Sequence, residues 1–138
     1  MIVLTLPFPP STNNLFINTS RGRIRSSKYD QWATEAGWEL MRQRPAKAVG
    51  PVSLIFEFQS GKDKRKRDIT NLLKAPEDLL VKYGIIEADD NTIVQSISAN
   101  WSAEVTGVRI AITPLRQGNA NGSGTQQQRA TQVGTGAD

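Results

Sequence analysis

Val52-Ser53-Leu54-Ile55-Phe56-Glu57-Phe58-Gln59 is the stretch on which the fold turns. Val52, Leu54, Phe56 and Phe58 alternate with Ser53, Ile55, Glu57 and Gln59. Successive side chains of a strand point to opposite faces, so this period of two predicts a β-strand with one buried face. Upstream, Ser26 or Ser27 can cap a helix running to about Arg44, ended by Pro45. Tyr29, Trp32, Ala33, Ala36 and Leu40 recur at helical spacing, and Trp38 is placed with them on the apolar side. Downstream comes a basic loop, 61–67, and then a second helical pattern from Thr70 to Lys82. Leu72, Leu73, Leu79 and Leu80 form its core side, and Pro76 is expected to kink it by removing one backbone hydrogen bond. Strands over 92–101 and 105–113 close the domain. At the N-terminus, residues 2–6 read as a strand stopped by Pro7, Pro9 and Pro10. Leu15–Asn18 and Arg23–Ser26 flank a turn at Thr19-Ser20-Arg21-Gly22, which fits a hairpin with irregular arms. The expected fold class is α+β: a small mixed β-sheet with two principal helices packed on it.

Within 138 residues, 1–116 are expected to form a single domain. Residues 117–138 are rich in Gly, Gln, Thr and Asn and carry Val133 as their one β-branched aliphatic residue. Such a segment buries too little apolar surface to offset chain ordering, so it reads as a disordered low-complexity tail. The chain has no cysteine, which excludes disulfides, thiolate nucleophiles and zinc–thiolate sites. No apolar run approaches the roughly 20 residues needed to span a bilayer, and MIVLTLPFPP lacks the basic start of a secretory signal. A soluble cytoplasmic protein with no membrane partner is expected.

The absence of histidine restricts the chemistry further. Catalysis must run on carboxylates, lysine, hydroxyls or a metal-activated water, and a metal site must use oxygen ligands, favouring Mg²⁺, Mn²⁺ or Ca²⁺. The net charge of +4 and pI of about 9.7 point to a polyanionic partner. Lys62, Lys64, Arg65, Lys66 and Arg67 fall within six positions broken only by Asp63, and Arg21, Arg23, Arg25 and Lys28 form a second group. Two acidic elements flank the second helix: Asp68 at its start and Asp89-Asp90 in the turn beyond it. On an ideal helix Asp68, Asn71, Lys74, Ala75 and Asp78 would share one arc. Phosphodiester hydrolysis needs charge neutralisation and an activated water, which carboxylates holding divalent cations provide, and Lys74 is placed to assist. Each piece alone has an ordinary structural explanation: a helix cap, a solvated turn, a solvated loop. Their order carries the functional reading.

That order resembles the RusA family of Holliday junction resolvases. The resemblance lies in Leu6-Pro7-Phe8-Pro9-Pro10-Ser11-Thr12-Asn13-Asn14, in Arg67-Asp68-Ile69-Thr70-Asn71-Leu72-Leu73-Lys74-Ala75 with Asp78 following, and in Gly84-Ile85-Ile86-Glu87-Ala88-Asp89-Asp90. It covers roughly residues 3–113. It implies a homodimeric, Mg²⁺-dependent endonuclease that nicks four-way DNA junctions symmetrically, of a kind common in phages and prophages. It further implies action in the nucleoid or the phage-infected bacterial cytoplasm, and no small-molecule cofactor. By resemblance, Asp68, Asp90 and Lys74 are the catalytic residues, Asp68, Asp90 and Asp89 hold Mg²⁺ (with Mn²⁺ as substitute), and Thr70, Asn71 and Asp78 support them. Lys62, Lys64, Arg65, Lys66 and Arg67, with Arg21, Arg23, Arg25, Asn13 and Asn14, are the expected DNA contacts. Each phosphate neutralised on duplex DNA should contribute a salt slope of about −0.9.

One departure stands out. The family reads Asp-x-Asp-Asn where this chain reads Asp68-Ile69-Thr70-Asn71. A threonine hydroxyl can ligate Mg²⁺ but adds no charge, so metal affinity should fall or another acid must substitute, and Asp89 and Glu87 are the candidates. On this reading Thr70→Asp tightens metal activation. Two other readings compete: a branched-DNA-binding protein whose metal site is degraded at Thr70, and a small phage structural or regulatory protein with merely superficial acids.

Overall fold

The computed structural model describes residues 1–115, so the segment expected to be a tail lies outside the described residues. The elements are β1 (Ile2–Leu6), β2 (Phe16–Thr19), β3 (Gly22–Arg25), α1 (Ser27–Gln43), β4 (Val52–Gln59), α2 (Lys74–Lys82), β5 (Val94–Ser102) and β6 (Val108–Pro114). Short 3₁₀ turns occupy Thr12–Asn14 and Ile69–Leu72. The fold is α+β. Its main sheet has the order β1-β6-β4-β5, with β4 antiparallel to β6 and parallel to β5, so the sheet is mixed.

The alternation in β4 is realised in full. Val52, Leu54, Phe56 and Phe58 are all 0% exposed, while Ile55 faces solvent. Pairing Leu54↔Ile112, Phe56↔Ile110 and Phe58↔Val108 carries the apolar face across to β6, and Leu4 and Leu6 extend it into β1. Trp32, Ala36 and Leu40 of α1 and Ala75, Leu79 and Leu80 of α2 join the same core. Both helices therefore cover one face of the sheet.

Helix α1 begins where expected. Ser26 Oγ accepts the Tyr29 N–H at 3.1 Å and donates to the Asn14 carbonyl, so one hydroxyl caps the helix and ties it to the N-terminal loop. Ser26→Ala should therefore destabilise the protein by about 1–2 kcal/mol. A urea titration would read this, and an unchanged midpoint would show that water replaces both bonds. Trp32 is buried and its indole N–H donates to the Pro7 carbonyl at 3.0 Å, anchoring the proline-rich entry loop to α1. Trp38 does not join this face. It is 68% exposed, because its position projects it away from the Trp32–Ala36–Leu40 stripe.

Two further expectations change. The hairpin arms are regular, paired Phe16↔Arg25 through Thr19↔Gly22. The single kinked helix over 70–82 is instead a 3₁₀ turn at Ile69–Leu72 followed by α2 from Lys74. Pro76 is the third residue of α2, and the N–H of Glu77 makes the bond back to Leu73. Pro76 therefore stands where a first-turn N–H would have no helical acceptor, and no kink results. The ideal-helix arc is not realised either: Asp68 is extended at φ −96 and caps the 3₁₀ turn, while Ala75 is buried. Lys74 and Asp78, one turn apart, do share a face. No described helix is long and apolar enough to cross a membrane.

Parallel pairing of β4 and β5 forces a crossover from the end of one strand to the start of the other. That crossover carries the basic loop, Asp68, α2 and the acidic turn in succession, which is how the fold positions its candidate functional residues.

Candidate active site

A cleft of about 540 Å³ lies between the proline-rich segment, with Phe8, Pro9, Pro10, Asn13 and Asn14, and the basic loop, with Lys62, Arg65, Lys66 and Arg67. Lys28 and Trp32 of α1 also line it, together with Asp68 and Asn71. Thr12 Oγ1 donates to the Asn71 carbonyl at 3.0 Å, joining the two sequence blocks directly. Lys64, Arg21, Arg23 and Arg25 do not line this cleft. Arg23 and Arg25 instead stack over the Phe16 and Tyr29 rings at 4.7 and 4.2 Å, and Arg25 pairs with Asp30 at 3.0 Å.

The basic loop is folded around its one acid. Asp63 accepts both Arg67 Nη atoms at 2.7 and 2.8 Å and the Arg65 N–H at 2.9 Å. The Arg67 fork holds the Asp63 carboxyl well below the usual carboxylate range. Arg67 also lies over the Phe8 ring at 5.1 Å. Its side chain is only 17% exposed, so it acts more as a strut than as a free cation.

Asp68 and Asp90 share one local device. Asp68 Oδ1 accepts the Thr70 N–H at 3.1 Å and the Thr70 hydroxyl at 2.8 Å. Asp90 Oδ1 accepts the same two groups from Thr92, the N–H at 2.9 Å. The Thr92 hydroxyl, aided by backbone N–H groups, holds the Asp90 carboxyl below its ordinary range. Thr70 thus directs its hydroxyl at Asp68. Thr92 was not legible as a functional residue from any one motif, although the repeated Asp-x-Thr at 68–70 and 90–92 was there to find.

A second group forms on α2. Lys74 Nζ pairs with Asp78 at 3.2 Å, and that hydrogen bond, reinforced by the charges of Asp78 and Asp89, raises the lysine pKa. Burial, followed by the charge of Asp78, pushes the Tyr29 phenol up. Glu77 is pushed up by burial first, then by Asp89 and Asp78. Asp89 therefore belongs electrostatically with Lys74. Glu87 is committed elsewhere, accepting the Gly50 N–H at 3.0 Å.

Among the described residues no three acidic side chains gather into a group able to hold a cation, so Asp68, Asp89 and Asp90 form no ready-made three-carboxylate cage. Mg²⁺ needs only one or two protein carboxylates when water and phosphate oxygens complete its shell. Asp68, at a cation-lined cleft with Oδ1 fixed by Thr70, fits that mode of binding.

A cleft lined by lysine and arginine and bordered by an oriented aspartate gives this α+β protein a site whose charge suits a polyanion. The chain belongs to the endodeoxyribonuclease RusA family, whose model matches residues 7–113. It is 32% identical over 91 residues to the crossover junction endodeoxyribonuclease RusA of Aquifex aeolicus (strain VF5), covering 62% of this chain and 67% of that protein. The matched span contains both linings of the cleft, α2 and the acidic turn.

Proposed function

We propose that this chain is a Mg²⁺-dependent, structure-selective endodeoxyribonuclease that resolves four-way DNA junctions by paired symmetric nicks. The observation that carries this reading is the placement of Asp68 and Asn71 in the same cleft as Lys62, Arg65 and Lys66, within a chain of the RusA family. The lysines and arginines engage the phosphate backbone, Asn13 and Asn14 offer side-chain amides from the facing segment, and the hairpin arginines extend the basic surface. Asp68 from the cleft and Asp90 from the acidic turn, which does not line it, would hold Mg²⁺ or Mn²⁺, and Asp89 contributes negative charge beside Lys74. When bound, the metal supplies charge neutralisation and water activation. Lys74, kept charged by Asp78, neutralises charge developing at the scissile phosphate. Two nicks across a two-fold axis require two such sites, so a homodimer matches the symmetry of the substrate. The place of action is wherever that DNA lies, the nucleoid or the phage-infected cytoplasm.

The second reading is a branched-DNA-binding protein with a degraded metal site. It is favoured by the Thr70 hydroxyl pointing at Asp68 and by the lack of a three-acid group among the described residues. Incubation with synthetic four-way, three-way and linear duplexes, with and without Mg²⁺, separates the two. The nuclease reading expects Mg²⁺-dependent paired nicks in the four-way substrate alone. Junction binding without cleavage in any divalent metal supports the second reading, and no preference for branched DNA removes both.

A further inference from the structure

Five cations within six positions repel one another, and a loop so composed would splay unless something organised it. The loop at 62–67 is not splayed. Asp63 grips the Arg67 guanidinium through both carboxylate oxygens and takes the Arg65 N–H as well, with Arg65 Nε at 3.4 Å, so one carboxylate closes the loop on itself. The far side of Arg67 rests on Phe8, at 5.1 Å, and Phe8 meets the Phe58 ring of β4 edge-on at 6.4 Å. A continuous line therefore runs from the buried sheet through Phe8 and Arg67 to Asp63. Arg67 immediately precedes Asp68, so whatever fixes Arg67 also fixes where the cleft's aspartate begins.

We propose that Asp63 is a positioning residue for DNA engagement: the one acid in the basic loop pre-forms the cation lining of the cleft by holding Arg65 to itself and locking Arg67 against Phe8. The inference rests on the nuclease reading for its ligand, branched DNA, but assigns a role that neither the motifs nor the family match contains. It also makes a claim about discrimination that simple electrostatics does not make. Coulomb attraction alone says that removing a negative charge from a DNA-facing loop tightens DNA binding. A positioning role says that the loop loses its shape, so affinity for linear duplex holds or rises while discrimination for the junction falls.

The test is Asp63→Asn in the full chain, compared with wild type on four-way and linear duplexes across a salt series. The expected result is a loss of about tenfold in the junction-to-linear preference, the scale of one mis-set charged contact. Faster amide hydrogen exchange over 63–67 should accompany it, with the thermal midpoint little changed. Arg67→Lys keeps the charge but cannot match both oxygens of Asp63 at once, and should reproduce the loss. Asp63→Asn that binds both substrates more tightly with its preference intact, or that leaves exchange in the loop unchanged, overturns the proposal. Wild type that shows no preference for the junction overturns the nuclease reading itself, and this proposal with it.

Discussion

Replacing either Asp68 or Asp90 by asparagine should lower four-way-junction cleavage by about 10²–10³-fold, the scale of several kcal/mol of lost charge stabilisation. The substitution nearly preserves shape. An asparagine carbonyl can still accept from Thr70 or Thr92, as Asp68 Oδ1 and Asp90 Oδ1 do. Only the negative charge and one acceptor oxygen disappear, so the fold and the cleft should persist. Removing a carboxylate that faces phosphates should leave junction binding equal or tighter. Single-turnover cleavage with enzyme in excess, together with gel shifts in the absence of Mg²⁺, separates the two effects. Equal cleavage by Asp90→Asn and wild type would eliminate Asp90 from the chemistry. A parallel loss of cleavage and binding would mean that the aspartates serve the fold, because a cap on the 3₁₀ turn at Ile69–Leu72 is also a structural role.

What the sequence disclosed depended on the range of the interaction. β4 was legible because period-two burial is a property of consecutive residues, and α1 because Ser26 and the Tyr29–Leu40 spacing are local too. The break between Leu72 and Lys74 was not, because the leucine pattern fits one long helix as well as a 3₁₀ turn followed by a shorter one. Pro76 was the clue to that break: a proline in the first turn marks a helix start as naturally as a kink marks an interior. For the site, motif order led to the family and named Asp68, Asn71 and the basic-loop residues that line the cleft, but Lys74, Asp89 and Asp90, named with them, do not line it. Side-chain partnership escaped, since Asp63 gripping Arg67 depends on how the basic loop turns back on itself, and Thr12 reaching the Asn71 carbonyl depends on how distant segments pack. Thr70 shows the boundary most clearly. Its identity marked a departure from the family pattern, but only geometry revealed that its hydroxyl serves Asp68, as that of Thr92 serves Asp90.

The largest stability effect should come from the strand on which the fold turns. Phe56→Ala is expected to cost about 3–5 kcal/mol, against a total stability of roughly 5–15 kcal/mol for a domain of this kind. Phe56 is 0% exposed and is paired with Ile110 on one side and Ala99 on the other, so neither neighbouring strand can close over the gap without breaking its register. Its ring stacks on Phe58 at 6.0 Å with an interplanar angle of 7°, and Phe58 in turn supports Phe8 beneath Arg67. The cavity should therefore loosen the cleft as well as the core, lowering junction binding at temperatures where the protein is still folded. Ile55→Ala, one residue away but on the 39%-exposed outer face, should cost under about 1 kcal/mol. Urea denaturation followed by tryptophan fluorescence reads both variants, and the contrast between neighbours is the measurement. Similar losses at positions 55 and 56 would mean that both faces of β4 are covered in solution, with a second layer packed on the side of the sheet that bears Val3 and Ile55.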